Sequence, residues 1–283
     1  MRVNNMSKKI TIGRTLAFLI VFLGACTMIL PFLWMLVTSL KESNLVYTIP
    51  PQWIPKPVDW NNYIEVWKAA NILTGIKNST IISVTVVAIN TLTSSMAAFA
   101  FAKIRFPFKN TIFLMVLATR MIEEVILIVP LYMMYSKIGW IDTLLPLIVP
   151  LSLCEVNNLF FFKQYLTGLP NAYLDAAKID GCTYFGAYWR IYLPLCKPAV
   201  LSNAVVLFMK SWNDYMKAAI FTHKESNHTI QVAIAMLSSH YEQQTDVPLV
   251  MCASLIAVLP VLILFITCQK YFTDSFAMSG IKG

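Results

Sequence analysis

Arg120, Glu123 and Glu124 stand close together in an otherwise apolar stretch. Spacings of three and four from the arginine to the two glutamates put all three on one face of a helix, where ion pairing can occur. A charged side chain at membrane depth costs at least about 2.5 to 3.5 kcal/mol on insertion scales, so such groups face a polar path or a partner subunit. The trio therefore reads either as the lining of a path for a polar solute or as a structural ion pair at a subunit interface. Lys210, Asp214 and Lys217 repeat spacings of four and three beside Trp212 and Asn213. An indole face and an amide suit sugar rings and their hydroxyls, although a tryptophan near the end of a span also serves as an interfacial anchor. His223, His228 and His240 are five and twelve residues apart, and Cys26, Cys154, Cys182, Cys196, Cys252 and Cys268 are scattered singly. Neither set has metal or disulfide spacing, so no metal site is expected and the cysteines read as packing residues. No clustered nucleophile, base or metal set can be assembled, so no catalytic residues are expected.

The elements that position these charges are dictated by composition. Of 283 residues, 58% are hydrophobic and 13% charged, with a mean hydropathy of +0.64. Soluble domains carry about 25% charged residues. An all-α integral membrane protein is expected, with six transmembrane helices near residues 15–38, 74–102, 111–135, 143–163, 198–221 and 249–271, from the length rule for spanning helices. The first apolar run follows Arg2, Lys8, Lys9 and Arg14 and continues past a lipoprotein-like Leu23-Gly24-Ala25-Cys26 to about Val37. That is longer than a signal core, so the run is expected to be a retained span. The net charge of +8 forms no continuous basic face, which argues against nucleic acid. Loop Lys and Arg residues divide thirteen to six in favour of the side that holds both termini, which is therefore expected to be cytoplasmic.

The expected organisation is a cytoplasmic segment 1–14, a permeation domain 15–271 and a cytoplasmic tail 272–283. An outer segment, 39–73, carries Pro50, Pro51, Pro55 and Pro57, which exclude regular helix. It ends in Trp60, Tyr63, Ile64 and Trp67 at helical spacing, which predicts a short amphipathic helix at the outer interface, as an anchor or as a contact for an external partner. An inner loop, 164–197, is long for a connection and reads as structure. Asn171 is placed as an N-cap, Tyr173, Leu174, Ala176 and Ala177 form a narrow apolar ridge, and Gly181 supplies a left-handed stop. A second helix is expected from about Thr183 to Tyr192, ending at Leu193-Pro194 and Pro198.

Tyr173-Leu174-Asp175-Ala176-Ala177-Lys178-Ile179-Asp180-Gly181, followed by Phe185, Ile191, Leu193-Pro194-Leu195 and Pro198, resembles the cytoplasmic signature loop of binding-protein-dependent ABC importer permeases. The similarity continues through Pro31-Phe32-Leu33-Trp34-Met35, Ser39-Leu40-Lys41, Trp60-Asn61-Asn62-Tyr63 and Asn78-Ser79. It runs on through Phe99-Ala100-Phe101-Ala102, Phe106-Pro107-Phe108, Pro130-Leu131-Tyr132, Trp212-Asn213 and the tail Ser279-Gly280-Ile281-Lys282-Gly283. This pattern is similar to the shorter six-span subunit of maltose-type carbohydrate permeases. The resemblance implies residence in a bacterial cytoplasmic membrane, a second homologous permease and two ABC ATPase subunits that bind ATP and Mg. It also implies an extracytoplasmic sugar-binding protein that delivers the sugar.

Within that resemblance the loop between spans four and five is a coupling helix that docks on an ATPase through Tyr173, Leu174, Asp175, Ala176, Ala177, Asp180, Gly181, Leu193 and Pro194. Gly280, Lys282 and Gly283 would reach the same interface, while Arg120, Glu123, Glu124, Trp212, Asn213 and Asp214 would border the sugar path. The chain has no Gly-x-x-x-x-Gly-Lys-Ser/Thr phosphate loop, so ATP hydrolysis belongs to partner subunits and this chain needs no cofactor. Two departures stand out. Asp175 replaces the usual Glu, and Trp212-Asn213 lacks the proline that often follows, so the fifth span is expected to run straighter. A self-sufficient secondary transporter would need coupling carboxylates, for which Glu123 and Glu124 are available, and often has two similar halves, of which there is no sign.

Overall fold

The computed structural model describes residues 12–239 and 246–280, and its regular elements there are all helical. In chain order they are α1 (Ile12–Ser39), α2 (Asn62–Glu65), α3 (Ile72–Lys103), α4 (Lys109–Ala118), α5 (Ile128–Lys137), α6 (Leu145–Ser152) and α7 (Val156–Gly168). There follow α8 (Ala172–Ile179), α9 (Tyr184–Ala187), a π-helical turn (Tyr188–Tyr192), α10 (Leu193–Leu195), α11 (Lys197–Trp212), α12 (Met216–Phe221), α13 (Ile230–Ser239) and α14 (Val247–Gly280). Among the described residues, four stretches are long and apolar enough to cross a membrane: Gly13–Ser39, Ile72–Lys103, Leu145–Gly168 and Val247–Gln269. A fifth is added if Tyr184–Leu195 and Lys197–Trp212, bent by 76°, are taken together.

The chain divides into two compact units. The first comprises 1–66 and 237–255. Along α1, large apolar side chains from Leu16 to Leu33 lie exposed on all sides, an arrangement that hydrocarbon satisfies and water does not. The prolines of the 39–73 segment keep it irregular, and the predicted amphipathic helix shrinks to the four residues of α2. Its apolar stripe points outward: Trp60 and Ile64 are exposed, while Asn62 is buried and donates to the carbonyls of Ser39 (3.1 Å) and Lys41 (2.9 Å). A polar side chain inside and tryptophan outside is what an interfacial anchor requires.

The second unit comprises 67–236 and 256–283 and is organised around α3. Here the expected continuous spans are interrupted. Residues 119–127 form 3-10 turns and extended backbone, so the span predicted at 111–135 is two helices, α4 and α5. Pro130 lacks the N–H that a continuous helix would need, and restarting at Ile128 puts it in the first turn, where no bond is lost. The span at 143–163 breaks between α6 and α7 at Leu153–Glu155, with Cys154 at a φ of 52°.

Breaking a helix frees backbone groups that must find partners. A polar run on α3 supplies them. Asn90 donates to the Leu151 carbonyl (2.6 Å), and Thr93 donates to Ser152 O (3.0 Å) and accepts from the Cys154 amide (3.2 Å). Asn158 then donates to Asn90 Oδ1 (2.6 Å). At the other end of α3, Asn78 donates to the carbonyls of Ser226 and His228, both at 2.9 Å. Gly75 lies so close to the start of α13 that an added Cβ would sit 3.0 Å from the Cα of Ile230.

Candidate functional site

The interruptions converge on a cleft of about 390 Å³ lined by Arg120, Glu123, Glu124, Lys210, Asp214 and Lys217, together with Ile122, Val125, Ile128 and Met216. It forms where the 119–127 break faces the junction of α11 and α12. That junction corrects the expectation of a straighter fifth span. The helix stops at Trp212 without any proline, and Asp214 accepts from the Lys217 amide (3.2 Å), which starts α12 anew with a carboxylate at its N-terminal end. A smaller pocket of about 190 Å³ adjoins it, sharing Glu124, Ile128, Asp214 and Lys217 and adding Glu155, Tyr135 and Phe221.

The charges alternate in sign across the cleft. Arg120 approaches Glu155 (3.8 Å), Glu155 approaches Lys210 (3.3 Å), Lys210 approaches Glu124 (3.6 Å), Glu124 meets Lys217 (2.5 Å) and Lys217 approaches Asp214 (3.8 Å). The i,i+3 and i,i+4 pairing predicted within the Arg120 trio does not form, because the segment leaves the α-helix after Ala118 and sends Glu124 toward α11 and α12. Glu123 lines the cleft without an ion pair among the described residues.

Glu155 was missed by the sequence reading, yet it is the hub. Its side chain is only 10% exposed, faces two cations and caps α7 by accepting from the Asn158 amide (3.0 Å). The signal that singled out Arg120, a lone charge in an apolar run, applied equally to it.

Two predicted path residues lie elsewhere. Trp212 is 1% exposed, donates to the Ala257 carbonyl (3.0 Å) and stacks on Phe208, so it serves packing and not the cleft. Asn213 is exposed and accepts from Gln231 (3.2 Å).

His223 and His228 form no metal cluster among the described residues; His240 lies outside them. The His223 and Lys224 amides both donate to Asp142, and the His223 bond above all holds its carboxyl below the usual carboxylate range.

The loop from 164 to 197 is ordered as a second assembly. Gly181 adopts a φ of +73°, the left-handed stop expected of it, and Thr183 caps α9 by accepting from the Gly186 amide (3.1 Å). Asn171 occupies the N-cap position but does not cap α8. Its Oδ1 instead accepts from Lys103 Nζ (2.9 Å), which also donates to Leu169 O (2.7 Å) and lies 5.7 Å from the Tyr192 ring.

The predicted apolar ridge splits. Leu174 and Ala177 are buried in a cluster with Phe99, Phe162, Tyr188 and Tyr192, whereas Tyr173, Asp175, Ala176, Asp180 and Gly181 are exposed and Ile179 is 86% exposed. Leu193 is half-buried and Pro194 exposed. Gly280 ends α14, while Lys282 and Gly283 lie outside the described residues.

Residues 89–276, a stretch containing both assemblies, match the family described as "Binding-protein-dependent transport system inner membrane component". The chain belongs to this family. Among its relatives is the arabinooligosaccharides transport system permease protein AraQ of Halalkalibacterium halodurans, 33% identical over 81% of each chain. Another is the trehalose/maltose transport system permease protein MalG of Thermococcus litoralis, 29% identical over 95% of this chain and 97% of that one. A bacterial ABC transporter involved in import of the acidic polysaccharide alginate shares the fold, with a TM-score of 0.80 at 19% identity over 96% of this chain and all of its own. The chain is thus a multi-pass inner-membrane permease, a transport component.

Proposed function

We propose that the chain forms one half of the path for a sugar, oligosaccharides foremost, in an ATP-driven importer. A second permease completes the path, two separate ATPase subunits bind ATP and Mg, and an external binding protein delivers the cargo. The observation that carries this reading is the cleft: an alternating chain of charges, open to solvent, set among helices whose other faces are apolar. A saccharide is uncharged at most positions and dense in hydroxyls, and carboxylates and ammonium groups that already neutralise one another can exchange hydrogen bonds with hydroxyls at small electrostatic cost. Arg120, Glu123, Glu124 and Asp214 are assigned to this path, joined by Glu155, Lys210 and Lys217; Trp212 and Asn213 are not.

The six spans are α1, α3, the pair α4 and α5, the pair α6 and α7, the pair α11 and α12, and α14, with both termini cytoplasmic. The loop from 164 to 197 then lies on the cytoplasmic side, where α8 docks on an ATPase through Tyr173, Asp175, Ala176, Ile179, Asp180 and Gly181. Leu174, Ala177 and Leu193 support α8 from behind. Lys103 ties the start of α8 to the end of α3, so displacement of the docked helix reaches the span that borders α7 and α11.

Purification in mild detergent with mass spectrometry of co-purifying chains tests the assembly. A second permease and an ATPase whose hydrolysis rises with a sugar-loaded binding protein are expected. A chain recovered alone that still transports into vesicles without ATP would establish a secondary transporter instead.

A further inference from the structure

The end of α3 and the start of α4 carry charge of a different kind. Lys103 ends α3, Arg105 follows it in the short connection, Lys109 opens α4, and Lys163 of α7 reaches the ring of Phe113, which stands one turn after Lys109 on the same face of α4. None of the four has a carboxylate partner among the described residues. What holds them is neutral: Lys103 donates to Leu169 O and Asn171, Lys109 donates to Ile104 O (3.0 Å), and Lys163 lies over the Phe113 ring at 3.7 Å. Lys103 is buried, whereas Arg105 is exposed and Lys109 and Lys163 are half-exposed, so three of the cations can reach a ligand. Beside them α4 presents Ile112, Leu114 and Met115 outward, and Phe108 at its start is exposed as well. Cations gathered at one end of an apolar, outward-facing helix match a molecule with an anionic head and hydrocarbon tails.

We propose that Arg105, Lys109 and Lys163 form a binding site for the phosphate headgroup of an anionic phospholipid, whose acyl chains lie along the exposed face of α4. The site rests on α4 being membrane-embedded and not on the cargo, so it stands or falls separately from the sugar path. Mutual repulsion among the four cations is relieved by the headgroup, and the apolar face of α4 distinguishes a lipid from free phosphate or an acidic protein surface.

Native mass spectrometry of the purified complex, supplied with phosphatidylglycerol and phosphatidylethanolamine in equal amounts, tests it. The wild type is expected to retain phosphatidylglycerol preferentially. The triple variant R105Q/K109Q/K163Q should lose that preference by about a hundred-fold, near five-fold per cation facing an anionic headgroup, with phosphatidylethanolamine retention unchanged. A variant that fails to fold is bypassed by the wild type at high salt, where screening should abolish the preference. Equal retention of the two lipids by the wild type, or a preference that survives in a folded triple variant or in high salt, overturns the proposal. Displacement of phosphatidylglycerol by millimolar inorganic phosphate, or cross-linking of Lys163 to a partner ATPase, overturns the lipid as occupant.

Discussion

In the cleft, Glu155 and Glu124 each face two cations, and Lys210 is shared between them. At the base of the 164–197 loop, Lys103 faces no carboxylate among the described residues and is held by a carbonyl, an amide oxygen and an aromatic face. The first arrangement is divisible: a lysine that loses one carboxylate still has another nearby. The second is directional, because Leu169 O and Asn171 Oδ1 sit at the junction of α7 and α8 and nothing else replaces the ammonium. A transport path benefits from charges that can re-pair as a solute passes, while a mechanical link benefits from bonds that cannot.

This contrast can be broken most sharply at Lys103. Lys103→Met should cost about 3 kcal/mol, the upper range for hydrogen bonds to a charged group, seen as a lower unfolding temperature in detergent, and should separate ATP hydrolysis from transport. An unchanged unfolding temperature would remove the distinction between the two regions.

Glu155→Gln should cost less, about 2 kcal/mol, because Lys210 can turn to Glu124. The double variant Glu155→Gln with Lys210→Met should recover part of the loss, as expected of groups in one network.

At Gly181 an added Cβ meets nothing within 4 Å, so only the backbone opposes substitution. Gly181→Val should cost roughly 1–2 kcal/mol and Gly181→Asn clearly less, since asparagine tolerates the left-handed region. Equal losses in thermal unfolding would mean that the side chain, not the conformation, matters there.

Glu124, with its side chain 48% exposed, should contribute below about 1 kcal/mol. The effect of Glu124→Gln should shrink as salt is raised, while that of Lys103→Met should not.

The smallest effect concerns Asp142, which ties the end of α12 to the turn before α6 through the His223 and Lys224 amides. Because its folded pKa lies below the unfolded value, its stabilisation is complete above about pH 4 and is lost as pH falls through the folded value. Asp142→Asn should therefore melt lower than wild type at neutral pH, and the gap should close on acidification.

The sequence by itself determined the apolar stretches, the left-handed stop at Gly181, a second helix starting near Thr183 and the charged positions Arg120, Glu124, Lys210, Asp214 and Lys217, because composition, helical spacing and the absence of a Cβ act locally. Only the tertiary structure decided which charges meet. Spacing along a helix predicted pairs within one segment, but the segment from Arg120 to Leu127 is not an α-helix, and whether a helix can break at membrane depth depends on partners from elsewhere. Asn90 and Thr93 of α3 supply those partners for the break at Glu155, more than 50 residues away in sequence. The same dependence hid the roles of Glu155 and Lys103 and placed Trp212 in the core. Each of these side chains takes its meaning from a backbone group or ring contributed by a distant part of the chain, and no periodicity in the sequence encodes that distance.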